Sequence, residues 1–152
     1  MPLTISLTCE VPAAGVGGDL PHPLMGRSQT QRLSLPRWLP RAFAAGEDWD
    51  AVRVTGVLAP LVLATMMLRT QSQPGPVVID AQMDAHYWLI PHPGGHRWDF
   101  AGVRLLSRGS WVVLPALARP GRRVRWLARP DDPFHLADPA TLHATLTDLT
   151  AP

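Results

Sequence analysis

Between Val103 and Pro130 the chain carries seven arginines and no acid: Arg104, Arg108, Arg119, Arg122, Arg123, Arg125 and Arg129. A guanidinium presents a planar fork of donors that grips phosphate at two points, so such a run points first to phosphate contact. In G-R-R-V-R-W, strand alternation places Arg123 and Arg125 on one face and Val124 and Trp126 on the other, a basic stripe over an aromatic. Arg119, Arg122, Arg123 and Arg125 are therefore the candidate nucleic-acid contacts. The competing reading is a solvated face beside Asp131 and Asp132. All 14 basic residues of this chain are arginine, with no lysine and no asparagine, a bias that codons rich in G and C produce on their own.

The acids and histidines are less coherent. Asp80 and Asp84 in V-V-I-D-A-Q-M-D would share a strand face but lie roughly 13 Å apart by strand rise, too far for one metal unless the chain turns between them. His86, His92 and His96 with Asp99 are ligand types that suit zinc or manganese, yet H-x5-H-x3-H matches no established ligand spacing. P-H-P-G-G-H also reads as a turn with a solvated histidine. Ser107 and Ser110 have no neighbouring base and belong to the turn before Trp111. The single Cys9 excludes an internal disulfide and a cysteine-based metal site, and suits a reducing cytoplasm. No catalytic residue, metal or cofactor is expected from these patterns.

The elements that would position these side chains are clearest from Gly75 to Trp126. Four β-branched and aromatic runs, P-G-P-V-V-I-D-A, H-Y-W-L-I-P, V-R-L-L-S-R-G-S-W-V-V-L-P and G-R-R-V-R-W-L, alternate with Gly, Pro and Asp punctuation, as in a small antiparallel sheet that reaches about Ala128. W-D-A-V-R-V predicts another strand, with Val52 and Val54 alternating against Arg53. Gly56 to Arg69 predicts a helix with Pro60 in its first turn, apolar nearly all round and so expected to be covered on more than one side. A-D-P-A-T-L-H-A-T-L-T-D-L predicts a second helix, capped by Asp138, with Pro139 at its first position and Leu142, Leu146 and Leu149 along one face. S-L-P-R-W-L-P-R-A-F-A-A-G predicts a short helix capped by Ser34, with Trp38 and Phe43 inward and Gly46 as its stop. Most of the six tryptophans belong in the core, with one or two left exposed to stack on bases or a partner.

At 152 residues and 46% apolar content the chain has room for one core. Residues 1–33 hold glycines and prolines with little periodicity and are expected to be poorly ordered; residues 34–152 form the domain. Met25 is a plausible alternative start to Met1. The longest apolar run, Val57 to Leu68, is shorter than the roughly 20 residues a membrane span requires, and the first residues lack a targeting pattern. A net charge of +2 implies no polyanion partner by itself.

The run from Val103 to Trp126 resembles the C-terminal half of the bifunctional primase–polymerase domain of bacteria and archaea. Gly109, Trp111, Val112, Val113, Pro115, Gly121, Arg123 and Trp126 sit at matching positions. With G-P-V-V, Y-W-L-I and D-P-A-T-L, the chain is similar to short, lysine-poor actinobacterial proteins that look like reduced forms of that domain. The resemblance implies a metal site of two carboxylates on one strand, a histidine on a second and a carboxylate on a third. Here Gln82 occupies the place of the second carboxylate, His96 comes too early, and Arg104 reverses the charge of the third. The fold expected is α+β, a small, mainly antiparallel sheet of about five strands with a central and a C-terminal helix. The function expected is that of a non-catalytic accessory or regulatory domain that contacts DNA or RNA through its arginines. A protein-interaction module using exposed aromatics is the alternative, and a residual metal-dependent nucleotidyl enzyme the third reading.

Overall fold

A computed structural model describes residues 5–7, 31–33, 35–130 and 135–152, the first two stretches as backbone only. In chain order the elements are β1 (Ile5–Leu7), β2 (Gln31–Leu33), β3 (Arg41–Ala44), β4 (Trp49–Thr55), α1 (Leu58–Arg69), β5 (Val77–Asp80), β6 (Ala85–Pro91), β7 (Val103–Leu106), β8 (Trp111–Leu114), β9 (Val124–Ala128) and α2 (Pro139–Thr150). Five strands form one antiparallel sheet in the order β7-β4-β6-β5-β9. Two further pairs, β3 with β8 and β1 with β2, stand apart as antiparallel two-stranded sheets. The fold is α+β, with a five-stranded sheet and two helices, as the sequence implies.

Strand alternation separates two cores. Val52, Val54, Val77, Trp88 and Ile90 face Ala59, Val62 and Met66 of α1 and Leu142 and Leu146 of α2. Ala51, Val78, Leu89 and Val124 face the other way and pack against Val112 and Leu114 of β8, with Leu35 and Phe43. The result is three layers: helices, large sheet, small sheet. Trp49 and Trp88 are fully buried and Trp98 nearly so, while Trp126 packs partly buried and donates its Nε1 hydrogen to Pro115 O at 3.2 Å. Trp38 and Trp111 stay outside, 58% and 69% exposed.

α2 follows its local signals. Asp138 accepts from Thr141 N at 3.0 Å, Pro139 occupies the first turn, and Leu142 and Leu146 are buried, with Leu149 at the margin. α1 carries Pro60 in its first turn as expected, and it is covered from two sides, by β4 and β6 of the sheet and by α2. Ala59, Val62 and Met66 are buried, whereas Val57, Leu61, Met67 and Leu68 on its outer face are exposed.

Two other expectations are corrected. The helix predicted over 34–46 is not formed: residues 37–39 bend, Arg41–Ala44 are a strand, and Trp38 points outward. Pro40 would fall inside that helix, where it lacks the amide hydrogen the ladder needs, whereas Pro36 would sit harmlessly in its first turn. Edge pairing takes its place, with Leu117 N and Ala118 N donating to Pro36 O and Arg37 O. The Ser34 cap lies outside the described residues. W-V-V-L, read as part of the main sheet, leaves it to pair with β3. Of residues 1–33 only β1 and β2 are described, paired to each other. No helix among the described residues is long and apolar enough to cross a membrane.

Candidate anion-binding face

The small sheet covers only part of the large one. Ala51, Leu89 and Val78 lie beneath it, but two residues further along β4 the same face carries Arg53. Arg53 stands directly opposite Tyr87 of β6 on one side and Arg104 of β7 on the other. Side chains so paired share a face with their Cβ atoms about 5 Å apart, and like charges in that position repel. Neither arginine forms an ion pair among the described residues. Arg53 Nε is also buried with no hydrogen-bond partner, a desolvated donor that nothing in the fold repays. A recess of about 250 Å³ opens here, lined by Arg53, Thr55, Gly102, Val103 and Arg104. Its floor is fixed by Gly102 O, which accepts from both Thr55 N at 2.9 Å and Thr55 Oγ1 at 3.0 Å.

Tyr87 carries the face toward β5. Burial pushes its phenol above the usual tyrosine value, Arg53 and Arg123 pull it back, and the Asp80 carboxylate adds to the rise, so the hydroxyl stays a neutral donor. Asp80 ends β5 and is fully engaged. Its carboxylate accepts from Gln82 N at 3.0 Å and Met83 N at 3.3 Å, closing the turn to β6, and from Arg123 Nε and Nη2 at 3.3 Å each. Beyond it lies a cleft of about 340 Å³ between the two sheets, lined by Pro40, Val113, Asp80, Arg122 and Arg123. Gly121 makes this corner possible, because a Cβ there would lie 2.4 Å from Val124 O. Trp111 borders the adjoining hollow with Tyr87 and Asp80.

The four arginines singled out from sequence are therefore divided. Arg122 and Arg123 line the cleft, and Arg119 is exposed on the same β8–β9 connection. Arg125 is not with them. It stands opposite Ile79, on the helix side of the sheet, half-buried. The expected Arg123–Arg125 stripe fails because Arg123 precedes β9 and folds toward Asp80, so strand alternation does not govern its side chain. Val124 and Trp126 face the small sheet, as expected.

The acids and histidines are dispersed. The chain does turn between Asp80 and Asp84, through residues 81–84, but Asp84 is exposed at the far end of the turn. His86 lies on the helix face opposite Val54 and Ile79. His92 Nδ1 sits 3.0 Å from the buried Asp50 carboxylate, His96 packs against Trp98 and His143, and Asp99 pairs with Arg97. Among the described residues no three His, Cys, Asp or Glu side chains converge on a point that could hold a metal. Ser107 and Ser110 close a turn, Ser110 N donating to Ser107 O.

Arg53 and Arg104 are the residues that the sequence left out of the candidate contacts. V-R-V and V-R-L each place an arginine on the face opposite two core residues, which is the available signal, but only the β4–β7 pairing brings the two together. Comparisons of the chain with models of protein families, with curated proteins and with solved structures each return no match.

Proposed function

We propose that this protein is a non-catalytic binding domain that contacts nucleic acid through the arginines at the open end of its large sheet, on a scaffold resembling the C-terminal half of primase–polymerase domains. The observation that carries the reading is that the cleft lined by Arg122 and Arg123 adjoins the hollow bordered by the exposed Trp111, the two sharing Asp80, Val113 and Val124 as walls. Guanidinium groups meet backbone phosphates, and an exposed aromatic offers a stacking platform that accepts any base. Asp80, the acid nearest this cleft, is committed to Arg123 and the turn amides. A single cysteine suits a cytoplasmic setting.

The test is salt-dependent binding of a short oligothymidylate. Replacing Arg119, Arg122 and Arg123 by glutamine is expected to lower the slope of log affinity against log salt by roughly two to three units. Arg125→Gln is expected to leave it unchanged. Because Arg123 also holds Asp80, the Arg119/Arg122 double substitution provides a version that spares that pair. No binding at about 50 mM salt, or binding indifferent to these changes, rejects the reading. Primer extension with manganese is expected to be absent, and extension that Asp80→Ala abolishes would point to a working nucleotidyl centre instead.

A second reading, a protein-interaction module, draws on the outward apolar residues Trp38 and Leu39 and on Val57, Leu61 and Leu68 of α1. Concentration-dependent self-association that falls on Trp38→Ser or Leu61→Ser, with no oligothymidylate binding, would favour that module.

A further inference from the structure

The geometry points to a phosphate-binding subsite formed by Arg53 and Arg104, separate from the cleft at Arg122 and Arg123. Two arginines held directly opposite each other on adjacent strands oppose their own charges. No acid among the described residues intervenes, and Arg53 Nε is sealed from water without an acceptor. An ordinary surface pair would splay apart or recruit a carboxylate. Here β4 holds Arg53 in place from behind, because Val52 and Val54 on either side are fully buried in the helix-side core. The recess between the two stems is open, and its floor is a backbone-paired Thr55–Gly102 contact that leaves no competing anion in it.

A tetrahedral dianion in the recess between the two stems neutralises the opposed charges and gives the guanidinium nitrogens that line it charge-assisted acceptors. A phosphoryl group is the ligand chemistry, and it has two sources: a phosphodiester in a nucleic-acid strand or a free phosphomonoester. The subsite does not depend on the cleft arginines binding nucleic acid.

Thermal unfolding in inorganic phosphate, against chloride at matched ionic strength, decides it. Wild-type protein is expected to melt higher in phosphate, through ligand linkage to the folded state. Arg104→Gln is expected to abolish that shift while melting no lower than wild type in chloride, since it removes one of two repelling charges from an exposed position. Arg53→Gln is expected to lose the shift as well, and Arg104→Gln keeps the test alive if the half-buried Arg53 cannot be replaced. An unfolding temperature indifferent to phosphate, or a shift that Arg104→Gln retains, overturns the subsite. The source is read with oligothymidylate. A salt slope reduced by roughly one unit in Arg104→Gln identifies a strand phosphodiester. Unchanged oligonucleotide binding beside a lost phosphate shift identifies a free phosphomonoester. If oligothymidylate does not bind at all, the nucleic-acid reading falls while the phosphate arm still decides the subsite.

Discussion

His86 illustrates how a single buried polar group ties stability to pH. It lies among apolar neighbours on the helix side of the sheet, with Nδ1 lacking any hydrogen-bond partner. Burial pushes its pKa below the usual histidine value. The Asp84 carboxylate and an Ala59 backbone contact temper the shift, and Arg125 adds to it. With the folded value depressed, the unfolded chain binds the proton more readily. Stability from this group is complete above the usual histidine value and falls as pH descends through it toward the lower folded value. Urea midpoints at about pH 7.5 and about pH 5.5 are expected to show a larger loss for wild type than for His86→Gln. Asp80 acts through hydrogen bonds. Asp80→Ala strips acceptors from two turn amides and from Arg123, and is expected to cost about 2 kcal/mol in chemical denaturation.

At the scale of the element, α1 and α2 respond differently to substitution. Met66 is fully buried between the helix and the sheet, so Met66→Ala is expected to cost about 3 kcal/mol. Leu68, two positions on, is largely exposed, and Leu68→Ser is expected to stay within about 0.5 kcal/mol. In α2, Asp138→Ala removes the cap on Thr141 N and is expected to cost about 1 kcal/mol. These helices were legible because their start signals are local: Pro60 in a first turn, and Asp138-Pro139 ahead of spaced leucines. β5, β6 and β9 were legible for a similar reason, β-branched runs between turn residues. β3 was not, since Pro40 disfavours a helix without naming the strand that will pair with Arg41–Ala44. The sheet and α2 cover α1 from two sides, while its outer face stays exposed, because apolar composition reports what a helix could bury, not what the rest of the chain brings to it.

Across the whole molecule, the binding face exists because the two sheets are unequal. β3 and β8 cover the Ala51–Leu89 region and stop, leaving Arg53 and Arg104 beyond it, beside an open recess. No reading of nearby residues could find that face. Arg53 and Arg104 meet only through a long-range strand pair, and Arg125 leaves the cluster only because β9 pairs with β5 in one particular register. The arginine-rich composition was visible from the start; which arginines work together was a property of topology.

The small sheet has a consequence for motion. β4, β5 and β6 are each hydrogen-bonded on both edges, whereas β3 and β8 have only each other. A lone ladder of four residue pairs, joined across a long stretch of chain, opens at lower free energy than the central strands. Amide hydrogens of Phe43, Val112 and Leu114 are therefore expected to exchange with solvent well before those of Val52, Val54 and Trp88. Val113, which walls the cleft, and Trp111, beside the adjoining hollow, belong to that same cooperative unit. A ligand seated in the cleft would slow exchange along β3 and β8 selectively, leaving the central strands unchanged, so the breathing of one short ladder reports occupancy of the site it encloses.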